Sequence, residues 1–191
     1  QRYEMSDETA EVAGLDVRIE LRPMLAFRNH HHLRSEDPVF DTAYTSGNGI
    51  VSMAPYAEMP RLFLAHNATS IERTGVWYRN FEYAIEMERG FDYREDLFQP
   101  YVMDFDLASD AIVIASTERH TYTKAEELEK SELRRRADLV VRSEIKDESI
   151  WPLVLAADQF IVDRGAGKSV IAGYHWFSDW GRDTMIALNG L

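Results

Sequence analysis

Alternation between apolar and charged residues is the feature that most constrains the fold of this chain. Val17, Ile19 and Leu21 point to one side of an extended segment and charged residues to the other, which predicts a half-buried strand. Further strand-like runs lie at Phe27 and at residues 50–53, 62–64, 77–85 and 111–115. Turn-forming stretches such as Ser46-Gly47-Asn48-Gly49 separate them. This pattern predicts a mainly β domain over residues 12–120, built as an antiparallel β-sandwich.

Helix-forming sequence begins near Thr123, where the alternation ends. Residues 124–130 are strong helix formers, and Glu126 and Lys130 stand at the i,i+4 spacing of a stabilising ion pair. We therefore expect helices only after about Thr123. The elements predicted in this part are a helix to about residue 141, a helix over 150–160, a loop over 163–169, a short strand over 170–172 and a helix over 184–191.

Charge and cysteine usage exclude several classes of function. The 191-residue chain carries 21 basic and 33 acidic residues, a net charge of −12, which argues against a nucleic-acid partner. It has no cysteine, so it has no disulfide framework, and this fits a reducing cytoplasm. No apolar run reaches the length of a membrane span. His30-His31-His32 lacks supporting ligands, so we expect no metal and no cofactor.

Residues 173–184 mix aromatic and charged side chains in a way that suits a sugar. Flat rings such as Trp176 and Trp180 can stack on a pyranose, and the Arg182-Asp183 pair can bind neighbouring hydroxyls. A structural interpretation of Asp183 is also available, since a carboxylate at this place can be the N-cap of a helix over 184–191. The residues alone leave both interpretations open.

Two parts of the chain resemble the glycogen debranching enzymes, the amylo-α-1,6-glucosidase family. Residues 170–188 are similar to the opening of the catalytic domain of that family. The segments that resemble its bacterial and archaeal N-terminal domain are residues 21–28, 77–83, 86–90 and 95–98. The resemblance covers about residues 12–191. It departs from the family pattern at Tyr101, where Gly is expected, and at His175, where Pro is usual.

The resemblance implies a domain organisation in which a sandwich precedes an (α/α)6 toroid. The expected parts are a disordered tail over 1–11, the sandwich over 12–122, a helical linker over 123–163 and the start of a truncated toroid over 164–191. The parent protein would be a cytoplasmic hydrolase of α-1,6-glucosidic branch linkages. Its partners would be an α-glucan, such as glycogen or maltodextrin, and the remaining catalytic domain.

The resemblance also implies roles for individual residues of the aromatic motif. Arg182 and Asp183 would grip the non-reducing glucose in the first subsite, and Trp176, Phe177 and Trp180 would line the pocket. The catalytic acid and base that glycoside hydrolysis needs lie farther along the toroid in this family. No catalytic residue is therefore expected in residues 1–191, and we expect this segment alone to be inactive.

The sandwich has two competing interpretations. It could bind α-glucan itself, with Trp77, Tyr78 and Phe81 exposed as a stacking platform, or it could be a structural module without its own catalysis. The charged residues of the 77–89 segment, which include Glu82, Glu86, Glu88, Arg79 and Arg89, are expected to form buried ion pairs in the structural case.

Overall fold

The computed structural model describes residues 17–29, 32–174 and 177–188. It is mainly β, and its sheets are antiparallel. The described residues fall into two compact units, one formed mainly by Leu33–Ala125 and one mainly by the residues from Glu126 onward. The predicted tail over 1–11 and the first residues of the predicted sandwich, 12–16, lie outside the described residues.

Two antiparallel sheets make up the first unit. Their strands are β1 (Arg18–Leu21), β2 (Tyr44–Gly47), β3 (Ile50–Met53), β4 (Leu62–His66), β5 (Ser70–Glu82), β6 (Arg94–Asp106) and β7 (Val113–Ser116). One sheet has the order β1-β6-β5 and the other the order β2-β3-β4-β7. In the second sheet the turn between β2 and β3 places Asn48 and Gly49 at φ 52° and φ 69°. Two successive positive φ angles are what a tight two-residue hairpin requires.

The two sheets pack face to face and confirm the predicted sandwich. Val51 and Leu64 of the four-stranded sheet meet Tyr101, Met103 and Phe105 of β6 in one buried cluster. A second cluster is formed by Phe40, Met53, Tyr56 and Phe98, with Trp77 against it. Burial of these side chains between two layers is the main source of stability for such a domain.

Local details of the first unit differ from the sequence predictions. The predicted strand over 77–85 ends at Glu82, and a short helix α1 (Ala84–Glu88) comes next, so the expectation of helices only after Thr123 was wrong. Phe27 lies outside the strands at φ 47°, and the predicted burial of β1 is wrong, because Ile19 is 44% exposed and Leu21 37%. Among the described strands, β1 has a neighbour on one side only, and this edge position is consistent with the exposure of its side chains.

The second part of the chain begins with helices. A single turn of 3-10 helix (Tyr122–Lys124) leads into α2 (Ala125–Arg142), and another (Glu148–Ile150) leads into α3 (Trp151–Asp158). Arg135 joins the two helices, since its Nη1 lies 2.7 Å from Oδ2 of Asp158. Both predicted helices are confirmed within a few residues. Within the described residues, no helix is long and apolar enough to cross a membrane.

A small sheet and a final helix come after α3. The elements are β8 (Ile161–Arg164), β9 (Gly167–Gly173), β10 (Phe177–Asp179) and α4 (Gly181–Ala187), and the sheet order is β10-β9-β8. The loop predicted over 163–169 is wrong, because these residues form the β8–β9 hairpin around Gly165 at φ 58°. Glycine adopts this left-handed conformation without a steric cost. The strand predicted over 170–172 is confirmed as part of β9.

Candidate functional site

Helix α4 carries the predicted Arg182-Asp183 pair on its first turn. The N-cap residue of α4 is Trp180, whose carbonyl oxygen accepts bonds from both the N–H and the Oγ1 of Thr184 at 2.9 Å. Asp183 is therefore the third residue of the helix, and its interpretation as the N-cap is wrong. A carboxylate in the first turn is still favoured there by the helix dipole.

Asp183 faces a groove between α4 and β9. The groove has a volume of about 330 Å³ and is lined by Phe160, Val170, Ile171, Ala172, Asp183, Ile186 and Ala187. Asp183 is the one charged side chain in this described lining, and it is half-buried. An apolar wall with a single carboxylate can bind a ligand that has both an apolar face and hydroxyl groups.

Arg182 is not part of this lining. It is exposed, and it precedes Asp183 on the helix, where successive residues are about 100° apart around the axis. The side chains of Arg182 and Asp183 form no hydrogen bond or ion pair with another described residue. With respect to the described part of the chain, both side chains can therefore still bind a ligand.

The aromatic residues of the motif are placed differently from one another. Phe177 begins β10 and is 54% exposed, and Trp180 comes directly after β10 and is 55% exposed. Neither of them lines the groove that contains Asp183. Trp176 and the divergent His175 lie outside the described residues. The structure thus brings Asp183 to the groove and leaves Phe177, Trp180 and Arg182 on the exposed surface.

Several residues around this motif were missed by the sequence reasoning. Asp179 accepts a hydrogen bond from Ser169 and forms an ion pair with Arg164. Tyr174 packs its ring 5.5 Å from Phe160 and donates its hydroxyl hydrogen to the carbonyl of Gln159 at 2.8 Å. These contacts connect residues 10 to 15 positions apart, and no local pattern in the sequence indicates them.

The sandwich surface does not contain the proposed three-ring platform. Trp77 packs into the core, with its ring centre 5.0 Å from that of Phe40 and 5.1 Å from that of Phe98. Tyr78 and Phe81 are exposed. A register shift between Tyr78 and Phe81 breaks the alternation that would have placed Trp77 and Phe81 on one face.

The buried ion pair of the sandwich also differs from the prediction. Glu82 and Arg79 form exposed pairs with Arg94 and Glu36, and the pair of Arg89 with Glu86 is partly exposed. The buried carboxylate is that of Glu95, which is held by Arg28 and by the hydroxyl of Tyr83 at 2.6 Å. Burial, assisted by this bond to Glu95, raises the pKa of Tyr83, so the phenol remains a donor.

Metal ligands do not converge anywhere in the described part of the chain. No group of three or more His, Asp or Glu side chains there has a geometry that could hold a metal ion. His30 and His31, two of the residues considered for a metal, lie outside the described residues. The candidate site therefore consists of the α4–β9 groove and the exposed residues next to it.

Comparisons with protein families agree with the order of the two units. A family model described as glycogen debranching enzyme N terminal matches residues 2–114. A second model, described as amylo-alpha-1,6-glucosidase, matches residues 155–191 and so covers the groove and α4. Comparisons with curated proteins and with solved structures gave no significant match.

Proposed function

Because this chain belongs to the glycogen debranching enzyme family, we propose that it is part of a glycoside hydrolase that cleaves α-1,6-glucosidic branch linkages of glycogen or maltodextrin. The family model over residues 155–191 supports the glucosidase activity, and the model over residues 2–114 supports the debranching assignment. The protein acts in the cytoplasm, a location that fits the lack of cysteine.

The position of Asp183 carries this proposal. Its carboxylate faces an apolar groove without a partner among the described residues, so it can accept hydrogen bonds from two adjacent hydroxyls of one glucose. The apolar wall with Phe160 accommodates the carbon face of the ring. Arg182 extends the polar contact from the helix surface. Trp180, Phe177 and Trp176 supply rings for stacking.

Bond cleavage needs two further groups. A carboxylic acid must protonate the leaving oxygen, and a carboxylate must activate water or attack the sugar. We assign neither role within residues 1–191 and place both groups farther along the catalytic domain. Residues 155–191 then provide substrate binding, and the chain by itself is inactive.

The sandwich serves as a structural module in this proposal. Trp77, one of the three rings of the glucan-binding alternative, belongs to the core between the two sheets. Two exposed rings remain, Tyr78 and Phe81, and the bulge at Asn80 separates them. This arrangement favours a scaffold over a glucan-binding surface.

Glucose release tests the proposed activity. The full-length protein that carries this chain should release glucose from a branched limit dextrin and not from a linear α-1,4-linked maltooligosaccharide of similar size. Equal release from both substrates, or none from the branched one, would contradict the proposal. Residues 1–191 alone should release none. Release by this segment that a point change within it abolishes would show that the acid and base lie inside it.

A further inference from the structure

Asp179 lies on one strand of the small sheet, and its side chain contacts residues of the other two strands. Its Oδ2 accepts a hydrogen bond from Ser169 Oγ at 2.8 Å and forms an ion pair with Nη1 of Arg164. Ser169 belongs to β9 and Arg164 ends β8, whereas Asp179 is the last residue of β10. The Asp179 side chain is 23% exposed, so its hydrogen bond to Ser169 is partly shielded from water, whereas Arg164 is 71% exposed and adds a weaker, solvent-screened contact.

This clasp, formed by Asp179, Ser169 and Arg164, lies directly before the helix that carries the proposed sugar site. Asp179 pairs with Ile171 of β9, and Ile171 lines the same groove as Asp183. Trp180 comes next as the N-cap, and α4 starts at Gly181. The contacts that fix the end of β10 therefore fix where α4 begins, and with it the position of Asp183 relative to β9.

We propose that Asp179, held by Ser169 and Arg164, is a positioning residue that presents Asp183 to the bound glucose. The inference rests on the proposed function, since Asp179 acts through Asp183 and does not contact the sugar. A negatively charged acceptor suits this place because a hydroxyl and a guanidinium both donate to it. A displacement of about 1 Å in a binding group can lower turnover roughly a hundredfold, so the clasp has a measurable consequence.

A double-mutant cycle in the full-length protein tests this role. The measured quantity is kcat/KM on an α-1,6-branched oligosaccharide for wild type, Asp179→Ala, Asp183→Asn and the double variant. Asp179→Ala should lower kcat/KM roughly tenfold to a hundredfold. The double variant should be no slower than Asp183→Asn alone, because a residue that acts only through Asp183 has nothing left to position.

The β8–β9 hairpin offers a matched control. Asp163 of β8 pairs with Lys168 of β9, and their side chains are largely exposed. Asp163→Asn removes an ion pair from the same hairpin without touching the contact to β10. Its kcat/KM should stay within about twofold of wild type, as expected for loss of an exposed pair. A loss as large as that of Asp179→Ala would overturn the specific role of Asp179.

The outcomes separate this inference from the proposed function. If Asp183→Asn is impaired but the two losses multiply, the positioning role is overturned and the proposed function stands. If Asp183→Asn has wild-type kinetics, Asp183 does not bind the sugar, and the positioning role of Asp179 is overturned as well. If Asp179→Ala does not fold, Ser169→Ala takes its place in the cycle. Its loss of kcat/KM should be smaller than the loss expected for Asp179→Ala. Wild-type kinetics in the variant that folds would overturn the inference.

Discussion

The guanidinium of Arg28 holds the fully buried carboxylate of Glu95 through two N–H donors, with Nη2 3.0 Å from Oε2. The hydroxyl of Tyr83 adds a third donor to the same carboxylate at 2.6 Å. Arg28 precedes the histidine run, and Glu95 lies near the start of β6, so the pair ties residues 67 positions apart within the sandwich unit. A carboxylate with these donors is stable in the core, whereas the same group without its cation is not.

Removal of Arg28 should destabilise the protein strongly. Arg28→Met leaves the Glu95 charge buried without its cation, which should lower the free energy of unfolding by about 3–5 kcal/mol. Urea unfolding measures this loss. The exposed pair Arg94–Glu82 in the same sheet provides the control, and Arg94→Met should cost under about 1 kcal/mol. Equal losses in the two variants would contradict the account of Glu95 as a buried, compensated charge.

A side chain at Gly49 should be more destabilising than one at a glycine with the same backbone conformation and open space around it. It sits at φ 69°, and an added Cβ would lie 2.9 Å from the carbonyl oxygen of His66 and 3.3 Å from the ring of Tyr122. Gly75 has a similar φ of 62° with open space around it, so Gly75→Ala measures the backbone cost alone. That cost should be about 1 kcal/mol. Gly49→Ala should lose about 1–3 kcal/mol more in thermal or urea unfolding, and similar losses would show that the close contacts do not matter.

Acidification should destabilise the sandwich through His66. Its Nδ1 accepts a bond from the Ala68 N–H at 3.1 Å, while the buried Nε2 has no partner among the described residues. Burial lowers the pKa of His66 below its ordinary value of 6.5. At pH values between the lowered pKa of the folded state and the ordinary pKa of the unfolded state, the unfolded state binds more protons. The free energy of unfolding therefore has its full value above about pH 6.5 and decreases as the pH falls through that range.

His66→Asn isolates this effect because the Asn side-chain oxygen can still accept the Ala68 N–H bond. The free energy of unfolding should be measured at about pH 7.5 and about pH 5.5 for both proteins, on either side of the ordinary histidine pKa. Wild type should lose more stability on acidification than the variant. An identical pH dependence would mean that the pKa of His66 is the same in the folded and unfolded states, and would contradict its lowering by burial.

Local signals explain why much of the sandwich could be predicted. The Asn48-Gly49 turn directly before the apolar run of β3 specifies the β2–β3 hairpin, and both residues have the positive φ that such a turn needs. Alternation could not specify the strand faces beyond the bulge at Asn80, because a shift of one residue exchanges the faces of a strand. The buried acid was therefore expected among Glu82, Glu86 and Glu88, whereas Glu95 is the residue enclosed by the fold.

The residue types of the candidate site could be predicted from the sequence, but their arrangement in space could not. The Arg182-Asp183 pair stands out by composition, yet its orientation depends on α4 starting at Gly181 instead of Thr184. That start places Asp183 over the groove, and it leaves Arg182 outside the lining. The Asp179–Ser169 contact that precedes it joins two strands, and such pairing depends on tertiary structure that a local motif does not encode.

The kinetics of Asp183→Asn in the full-length protein test the central claim most directly. Asn keeps the size of the side chain but loses the charge-assisted bonds to two hydroxyls, each worth about 1.5–3 kcal/mol. This should lower kcat/KM on an α-1,6-branched oligosaccharide by about two to four orders of magnitude. Loss of the helix-dipole contact should cost about 0.3–1 kcal/mol, so the melting temperature should change little. Unchanged kinetics with a clearly lowered melting temperature would instead show that Asp183 only stabilises α4, and would contradict the sugar-binding role.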